Sequence, residues 1–284
     1  MKIKVVNQRL YLEPPETAEG TREYLKAEFS FSGEWDGMTK TAFFRGAGNT
    51  YSQLLKDDAC TVPAEALAAP GRVGVSVSGT LGETITAEQL ATIRDGSFKD
   101  LYVGDYWEKD GVKYRIADIN YWKNVGYPES EKVQKPHVLI VPDTILGSGQ
   151  MNANNSTAGG YRNSAMKTAR LNQIADSLPD TFKNILISHR MFSDGSWGNT
   201  SVDLMNEVMV HGTYICTDNN NKQTSDTQQL SLFRLCPELK SIGQNYWLRN
   251  VAGSQTYTLI SQYGDASSDM ATSTYGIRPV FAVG

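Results

Sequence analysis

The sequence changes character once, near residue 100, and that change constrains the fold more than any single motif. Before it, short apolar runs are cut by turn formers: Lys2 to Val6, Leu25 to Phe31, Thr41 to Phe44 and Arg72 to Ser78. Runs of roughly four to eight residues with period-two alternation, bounded by Gly and Pro, read as strands. Strands of this length and spacing predict a small β-sandwich. From Leu101 onward the sequence is instead rich in aromatic residues, Asn and Gly. At 284 residues the chain also exceeds the usual reach of one hydrophobic core, so two domains are expected. We place them at 1–80 and 101–284, with a helical linker over 81–100. In that linker Thr86 and Gln89 stand as a capping box, and Gly96 sits where a helix C-terminal glycine belongs.

The second half mixes both periods, which predicts an α+β domain. GDYWEKDGVKYRIADINYW holds two aromatic strand segments around Asp110-Gly111, a dipeptide favoured in tight hairpins. HVLIVPD, His137 to Asp143, is an apolar run of strand length. In SAMKTARLNQIADSLPD, Leu171, Ile174, Ala175 and Leu178 repeat at helical spacing, and Pro179 marks the stop. SVDLMNEVMVHG carries Val202, Met205, Val208 and Met209 on one apolar stripe closed by Gly212, which predicts a second helix. These stripes read as core. Beyond Gly212 the pattern returns to loop and strand, beginning with the polar stretch Asp218 to Asp226.

Composition removes several functions. The net charge is -4 and there is no extended Lys/Arg run, so neither nucleic acid nor an anionic membrane surface is an expected partner. The opening MKIKVVNQRLYL lacks the apolar core of a secretion signal, and no segment is long and apolar enough for a membrane span. Synthesis in the cytoplasm is expected, with any extracellular role reached by cell lysis, as for a virion part. Cys60, Cys216 and Cys236 are odd in number and widely spaced, which predicts buried free thiols.

No motif names a reaction. His137, His189 and His211 stand apart with no metal-ligand spacing. Asp203 and Glu207, at i and i+4 of the expected helix, read as acids on a solvated helix face and not as a catalytic pair. The loop from Asp218 to Asp226 lacks the calcium-loop arrangement and reads as a flexible surface loop. The hydrolase, phosphate-loop and dinucleotide fingerprints are absent, and the N-x-[ST] matches at Asn154 and Asn199 read as chance. The chain is expected not to be an enzyme and to need no cofactor or metal.

One stretch differs in kind. Ser254 to Thr274, SQTYTLISQYGDASSDMATST, is crowded with side chains that hydrogen-bond and stack at low entropic cost, the composition of adaptable binding surfaces. YWLRN precedes it and YGIRPVF follows it. Composition alone favours an ordinary Ser/Thr-rich loop and edge strand.

Two resemblances sharpen this reading. The run from Glu28 to Gly79, with its EWDG, TKTAFF and CTVP segments, resembles the N-terminal module of Firmicutes phage tail and baseplate proteins. That implies a β-sandwich that attaches to other phage tail proteins. The region from roughly residue 95 to the end, through IRDGSFKDLYVGDYW, LMNEVMVHG, YWLRN and YGIRPVFAVG, resembles a domain common at the C-terminus of such proteins. Its closing motifs, Trp247-Leu248-Arg249 and Gly276-Ile277-Arg278-Pro279, are similar to those of C-type-lectin-like proteins diversified by retroelements. The resemblance implies that the residues between the motifs form the ligand-binding face: Ser254, Gln255, Thr256, Thr258, Ser261, Gln262, Tyr263, Asp265, Ser267, Asp269, Thr272 and Thr274. Trp247, Leu248, Ile277, Val280 and Phe281 would supply core, and Arg249 and Arg278 would pin the loop ends through hydrogen bonds.

The implied function is a virion receptor-binding protein that touches a bacterial surface protein or glycan. Adhesins of this kind are often trimeric, so a homotrimer formed through the globular domains is the implied oligomer. The calcium-site motifs and disulfides of animal C-type lectins are missing, which argues against calcium-dependent sugar binding. Two alternatives stand beside it. One is a purely structural tail component. The other is an enzyme, either a glycan hydrolase or a copper-dependent oxidase of the lectin-like fold, whose paired C-terminal cysteines this sequence lacks.

Overall fold

A computed structural model describes residues 1–6, 9–13, 25–36, 38–46, 49–68 and 73–284. Gly37 of the EWDG segment and Arg72 of the fourth expected strand lie outside the described residues. The chain is mixed and strand-dominated, with several sheets and few helices, and it divides into two compact units, Met1–Gly82 and Glu83–Gly284.

In the first unit, β1 (Lys2–Val6) lies between β2 (Arg9–Glu13) and β3 (Lys26–Phe31), and β6 (Ala59–Thr61) extends that sheet from β3. A second sheet places β4 (Lys40–Gly46) between β5 (Asn49–Leu54) and β7 (Gly74–Gly79). The alternation explains the packing: Lys2 and Lys4 are exposed while Ile3 and Val5 are buried. Ile3, Val5, Ala27 and Phe29 of one sheet share a core with Ala42 and Phe44 of the other, together with Trp35 and Val62.

The second unit opens with α1 (Ala87–Asp95), held by the capping box in which Thr86 Oγ1 accepts from the Gln89 N–H and the Thr86 N–H is returned to Gln89 Oε1, and closed by Gly96 at φ 77°. This helix is not a spacer. Ile93 is fully buried, and Trp107 Nε1 donates to Gln89 Oε1 at 3.0 Å, so the segment expected as a linker belongs to the second unit. Strands β8 (Tyr106–Lys109) and β9 (Val112–Ile119) form the expected hairpin, with Asp110 and Gly111 both at positive φ, as a two-residue primed turn requires.

Strand β10 (Val138–Pro142) pairs with β9 on one side and with the final strand on the other, and each of its residues is buried. After it in the chain come β11 (Gly147–Gly149), a π-helical turn at Met166–Arg170, α2 (Leu171–Ser177) and α3 (Asp180–Lys183). Leu171, Ile174 and Leu178 are buried as their spacing requires. Then follow β12 (Leu186–Ile187), the hairpin of β13 (His189–Ser193) and β14 (Ser196–Thr200), and β15 (Val202–Leu204).

Here the structure departs from the expected second helix. Val202–Leu204 pairs with the last strand and satisfies its backbone laterally, so the helix begins only at α4 (Glu207–His211), where the Asn206 side chain accepts from the Met209 N–H at 2.7 Å. QLSLFRL likewise departs from the expected loop and strand, because Ser231–Leu235 is a short helix, α5, that buries Leu232 and Phe233.

Strands β16 (Tyr246–Val251), β17 (Thr256–Ile260), β18 (Ala266–Met270), β19 (Tyr275–Ile277) and β20 (Pro279–Val283) complete the unit. Two sheets result. Six strands run β12-β20-β10-β9-β8 with β15 also on β20, and five run β11-β19-β16-β17-β18. Side chains of both meet in one core, among them Leu139, Val141, Val280 and Ala282 against Tyr246, Leu248 and Ile260. The three cysteines are free, but each is half-buried and not buried as expected; Cys60 packs against the rim of the first unit's core. Among the described residues no helix is long and apolar enough to cross a membrane.

Candidate functional site

The site is built on β16, in which every residue is buried. Its Arg249 forms the centre of a buried ionic network. The guanidinium donates to Asp203 at 3.0 Å and to Asp226, while Tyr161 donates to Asp203 and Trp122 Nε1 donates to Asp226 at 2.7 Å. Burial opposes the Arg249 charge, and the two carboxylates outweigh it, holding its pKa above the ordinary value. Asp203 is opposed by burial too, but Lys167 and Arg249 keep its carboxyl below the usual range.

Arg278, fully buried, donates to the carbonyls of Pro142 at 2.8 Å and Leu239 at 2.9 Å, and lies over the rings of Tyr246 and Phe233. Both arginines make fixed bonds, yet they anchor β16 and the junction of β19 with β20 to distant segments and do not grip the ends of the 254–274 stretch. Trp247, Leu248, Ile277, Val280 and Phe281 are all buried, as core residues should be.

The closing motif has a steric reason for its glycine. A Cβ on Gly276 would stand 2.3 Å from Ile145 Cγ2 and 3.0 Å from the Asn245 carbonyl. Overpacking of this kind costs about 1–3 kcal/mol. Gly276→Ala is therefore expected to lower the unfolding free energy by that amount, read as a lower urea midpoint at an unchanged slope, whereas an unchanged midpoint would show that the strand gives way freely.

Strand pairing sorts the expected ligand-binding residues. Trp247 stands opposite Leu259, Leu259 opposite Ser267, and Tyr257 opposite Asp269, so these share one face. Tyr275 joins that face, its ring packed edge-on to Trp247 at 5.0 Å and its hydroxyl donating to the Asp269 carboxylate. That bond is the first cause holding Asp269 below its ordinary pKa, with the Met270 N–H next. Replacing Tyr275 by Phe should let Asp269 titrate closer to the usual carboxylate range. A carboxyl-carbon NMR titration reads this, and an unmoved Asp269 would contradict the assignment.

The remaining candidates lie around that face. Ser261, Gln262, Tyr263 and Asp265 form the turn between β17 and β18, with Tyr263 77% exposed. Ser261, Gln262, Tyr263 and Thr274 line an open groove of about 770 Å³ whose other side is Ser148, Gly243, Gln244 and Asn245. Asn245 Oδ1 accepts from the Gln262 N–H at 2.7 Å and fixes the turn.

At the opposite end of the hairpin stand Ser254, Gln255, Thr256 and Thr272. The loop Gln150–Thr157 buttresses them: Gln150 Nε2 donates to the Thr272 carbonyl at 2.6 Å, Thr272 donates to Asn155 Oδ1, and the Thr157 N–H donates to the Ser254 carbonyl at 3.0 Å. Thr258 does not belong to the surface. It lies on the reverse face opposite Ser268, is fully buried, and its hydroxyl has no partner among the described residues. Ser268 and Met270 were missed. Both are exposed on β18, and period-two alternation from Ala266 would have singled them out together.

No family model, curated protein or solved structure matches the chain.

The groups weighed for chemistry sit in structural roles. Asp203 and Glu207 do not share a solvated helix face, since both are fully buried and Asp203 is in a strand. Glu207 accepts from the N–H groups of Ile215, Cys216 and Thr217 at 2.9–3.0 Å and from the Thr217 hydroxyl. Asp226 is buried in the Arg249 network, so the segment ending there is not simply a flexible loop; Asp218 caps the turn at Asn219–Asn221. His189 stacks on Trp122, and burial pushes its pKa down to about 3, which keeps it neutral. Among the described residues no group of three His, Cys, Asp or Glu side chains is placed to hold a metal.

Proposed function

We propose that this chain is a receptor-binding adhesion protein of a bacteriophage or prophage tail. In this reading the first unit, two sheets around one core in the manner of a β-sandwich, attaches to other tail proteins. The second unit is a C-type-lectin-like domain that presents its ligand-binding surface on the β17–β18 hairpin to a bacterial surface protein or glycan. The observation that carries it is the contrast along β16 to β18. β16, buried throughout, and β17, buried from Tyr257 to Ile260, lead out to an edge strand and a turn that expose Ser268, Gln262 and Tyr263. Such an arrangement separates the residues that hold the fold from those that meet a partner, so the exposed ones tolerate replacement, as surface substitutions usually change stability by under about 0.5 kcal/mol. Diversification by a retroelement would act on that rim, with the frame from Trp247 to Arg249 and from Gly276 to Pro279 left unchanged.

The test is binding of the labelled chain to intact Firmicutes cells and to phage tails that lack it. Saturable binding to cells is expected. Incorporation into tails with no binding to any strain would replace the receptor-binding reading by that of a structural tail component.

A further inference from the structure

A second surface of the same unit is built for a different chemistry. One groove, of about 570 Å³, lies between the helical face that carries Lys167, Thr168, Asn172 and Asp176 and the strand residues Gly198–Val202. Another, of about 500 Å³, is bounded by Arg94, Lys132 and Lys135 on one side and Asn184–Ser188 on the other. Leu186 and Ser188 line both, so the two grooves meet along β12, the edge strand of the six-stranded sheet.

Six cations line the pair: Arg94, Lys132, Lys135, Arg162, Lys167 and Lys183. Asp176 is the one acidic side chain that lines either groove. Lys132, Lys167 and Lys183 are partly neutralised, by Glu129 at 2.6 Å, Asp203 at 3.5 Å and Asp180 at 3.1 Å. Arg94, Lys135 and Arg162 have no carboxylate ion pair among the described residues, and Arg162 instead donates to Ser196 Oγ. Concentrating cations on one face of a chain whose net charge is -4 produces a local positive potential that the total hides.

We propose that these joined grooves bind an acidic polysaccharide. Charge complementarity calls for an anionic partner, and two grooves meeting along one strand call for an extended one. The lining then decides between the two commonest polyanions. Single-stranded nucleic acid is held by aromatic side chains on which bases stack, and no aromatic side chain lines either groove. Beside the cations and apolar residues such as Leu171, Ile185, Leu186 and Met191, hydroxyl and amide groups line them: Thr168, Asn172, Ser188, Asn199, Gln134 and Asn184. Those groups match sugar hydroxyls, while the guanidinium of Arg162 presents a planar fork suited to a carboxylate. The surface shares no residue with the 254–274 segment, so it stands or falls independently of the adhesion reading.

The experiment titrates the full chain with polygalacturonate, neutral dextran and oligo-dT at low salt. Polygalacturonate should bind and weaken as salt rises, because the interaction is between screened charges. Neutral dextran should not bind. Arg94→Gln with Lys135→Gln and Arg162→Gln should weaken polygalacturonate at least tenfold, while Gln262→Ala with Tyr263→Ala leaves it unchanged. Arg162 packs against Gly198, so the double variant Arg94→Gln with Lys135→Gln, altering side chains outside the core, guards against a folding defect and should weaken binding at least threefold. Absence of polygalacturonate binding, equal binding by the double variant, or tighter binding of oligo-dT than of polygalacturonate would each overturn the proposal.

Discussion

Replacing Arg249 by methionine lowers the stability of the second unit by about 3–5 kcal/mol, read from the urea midpoint, and this is one of the two largest effects expected of any single substitution here. The size follows from what is left behind. Asp203 and Asp226 are 0% and 1% exposed, and without the guanidinium Asp226 is left as a buried carboxylate with its ion-pair partner gone while Asp203 keeps only Lys167. Lys167 stays near Asp203 but not within the bonds that Asp226 makes. Adding Asp226→Asn to the variant removes one stranded charge and should recover part of the loss, a coupling that a double-mutant cycle measures. A loss under 1 kcal/mol would show that water reaches the network and that it is not the anchor of β16.

Glu207→Ala should cost a similar amount, about 3–5 kcal/mol, for a different reason. The carboxylate is the shared acceptor for three backbone N–H groups and one hydroxyl in the turn that follows α4. Each buried donor left without a partner costs about 1–3 kcal/mol, offset where the turn opens and water enters. Glu207→Gln keeps one acceptor oxygen and the side chain's volume, so it should lose roughly half as much. Hydrogen exchange at Ile215, Cys216 and Thr217 distinguishes this account from simple loss of packing. Those three amides should lose protection first, and uniform loss across the unit would contradict it.

These two residues also mark where the sequence could be read and where it could not. The hairpin at Asp110-Gly111, the capping box at Thr86 and the apolar run at Val138–Pro142 were legible because each is fixed by neighbours in sequence: turn chemistry, a local cap, a run length. Val202–Leu204 was not. Its apolar spacing fits a helix, and only pairing with β20, some eighty residues away, makes it a strand. Asp203, Glu207 and Asp226 looked like surface acids because nothing nearby in sequence announces the arginine and the amides that satisfy them. Thr258 fell among the candidate ligand residues because it lies between the two closing motifs, whereas its face is set by the register against Ser268. The basic grooves were invisible for the same reason, since Arg94, Lys135 and Arg162 come from separate parts of the chain and form no run.

The candidate surface itself was legible in outline, because hydroxyl, amide and tyrosine side chains crowd one segment. Its division into a sheet face with Ser267, Asp269 and Tyr275, a turn with Gln262 and Tyr263, and a distal rim with Ser254 and Gln255 needed the strand register.

The central claim is that the exposed residues of this segment carry recognition while the buried ones carry the fold. It is tested most directly by measuring cell binding and thermal midpoint together for a variant with Gln255, Gln262, Tyr263 and Thr274 all changed to Ala. All four side chains are exposed, so the midpoint should stay within a few degrees, since each surface change alters stability by under about 0.5 kcal/mol. Cell binding should fall at least tenfold. Undiminished binding by the folded variant would contradict the claim.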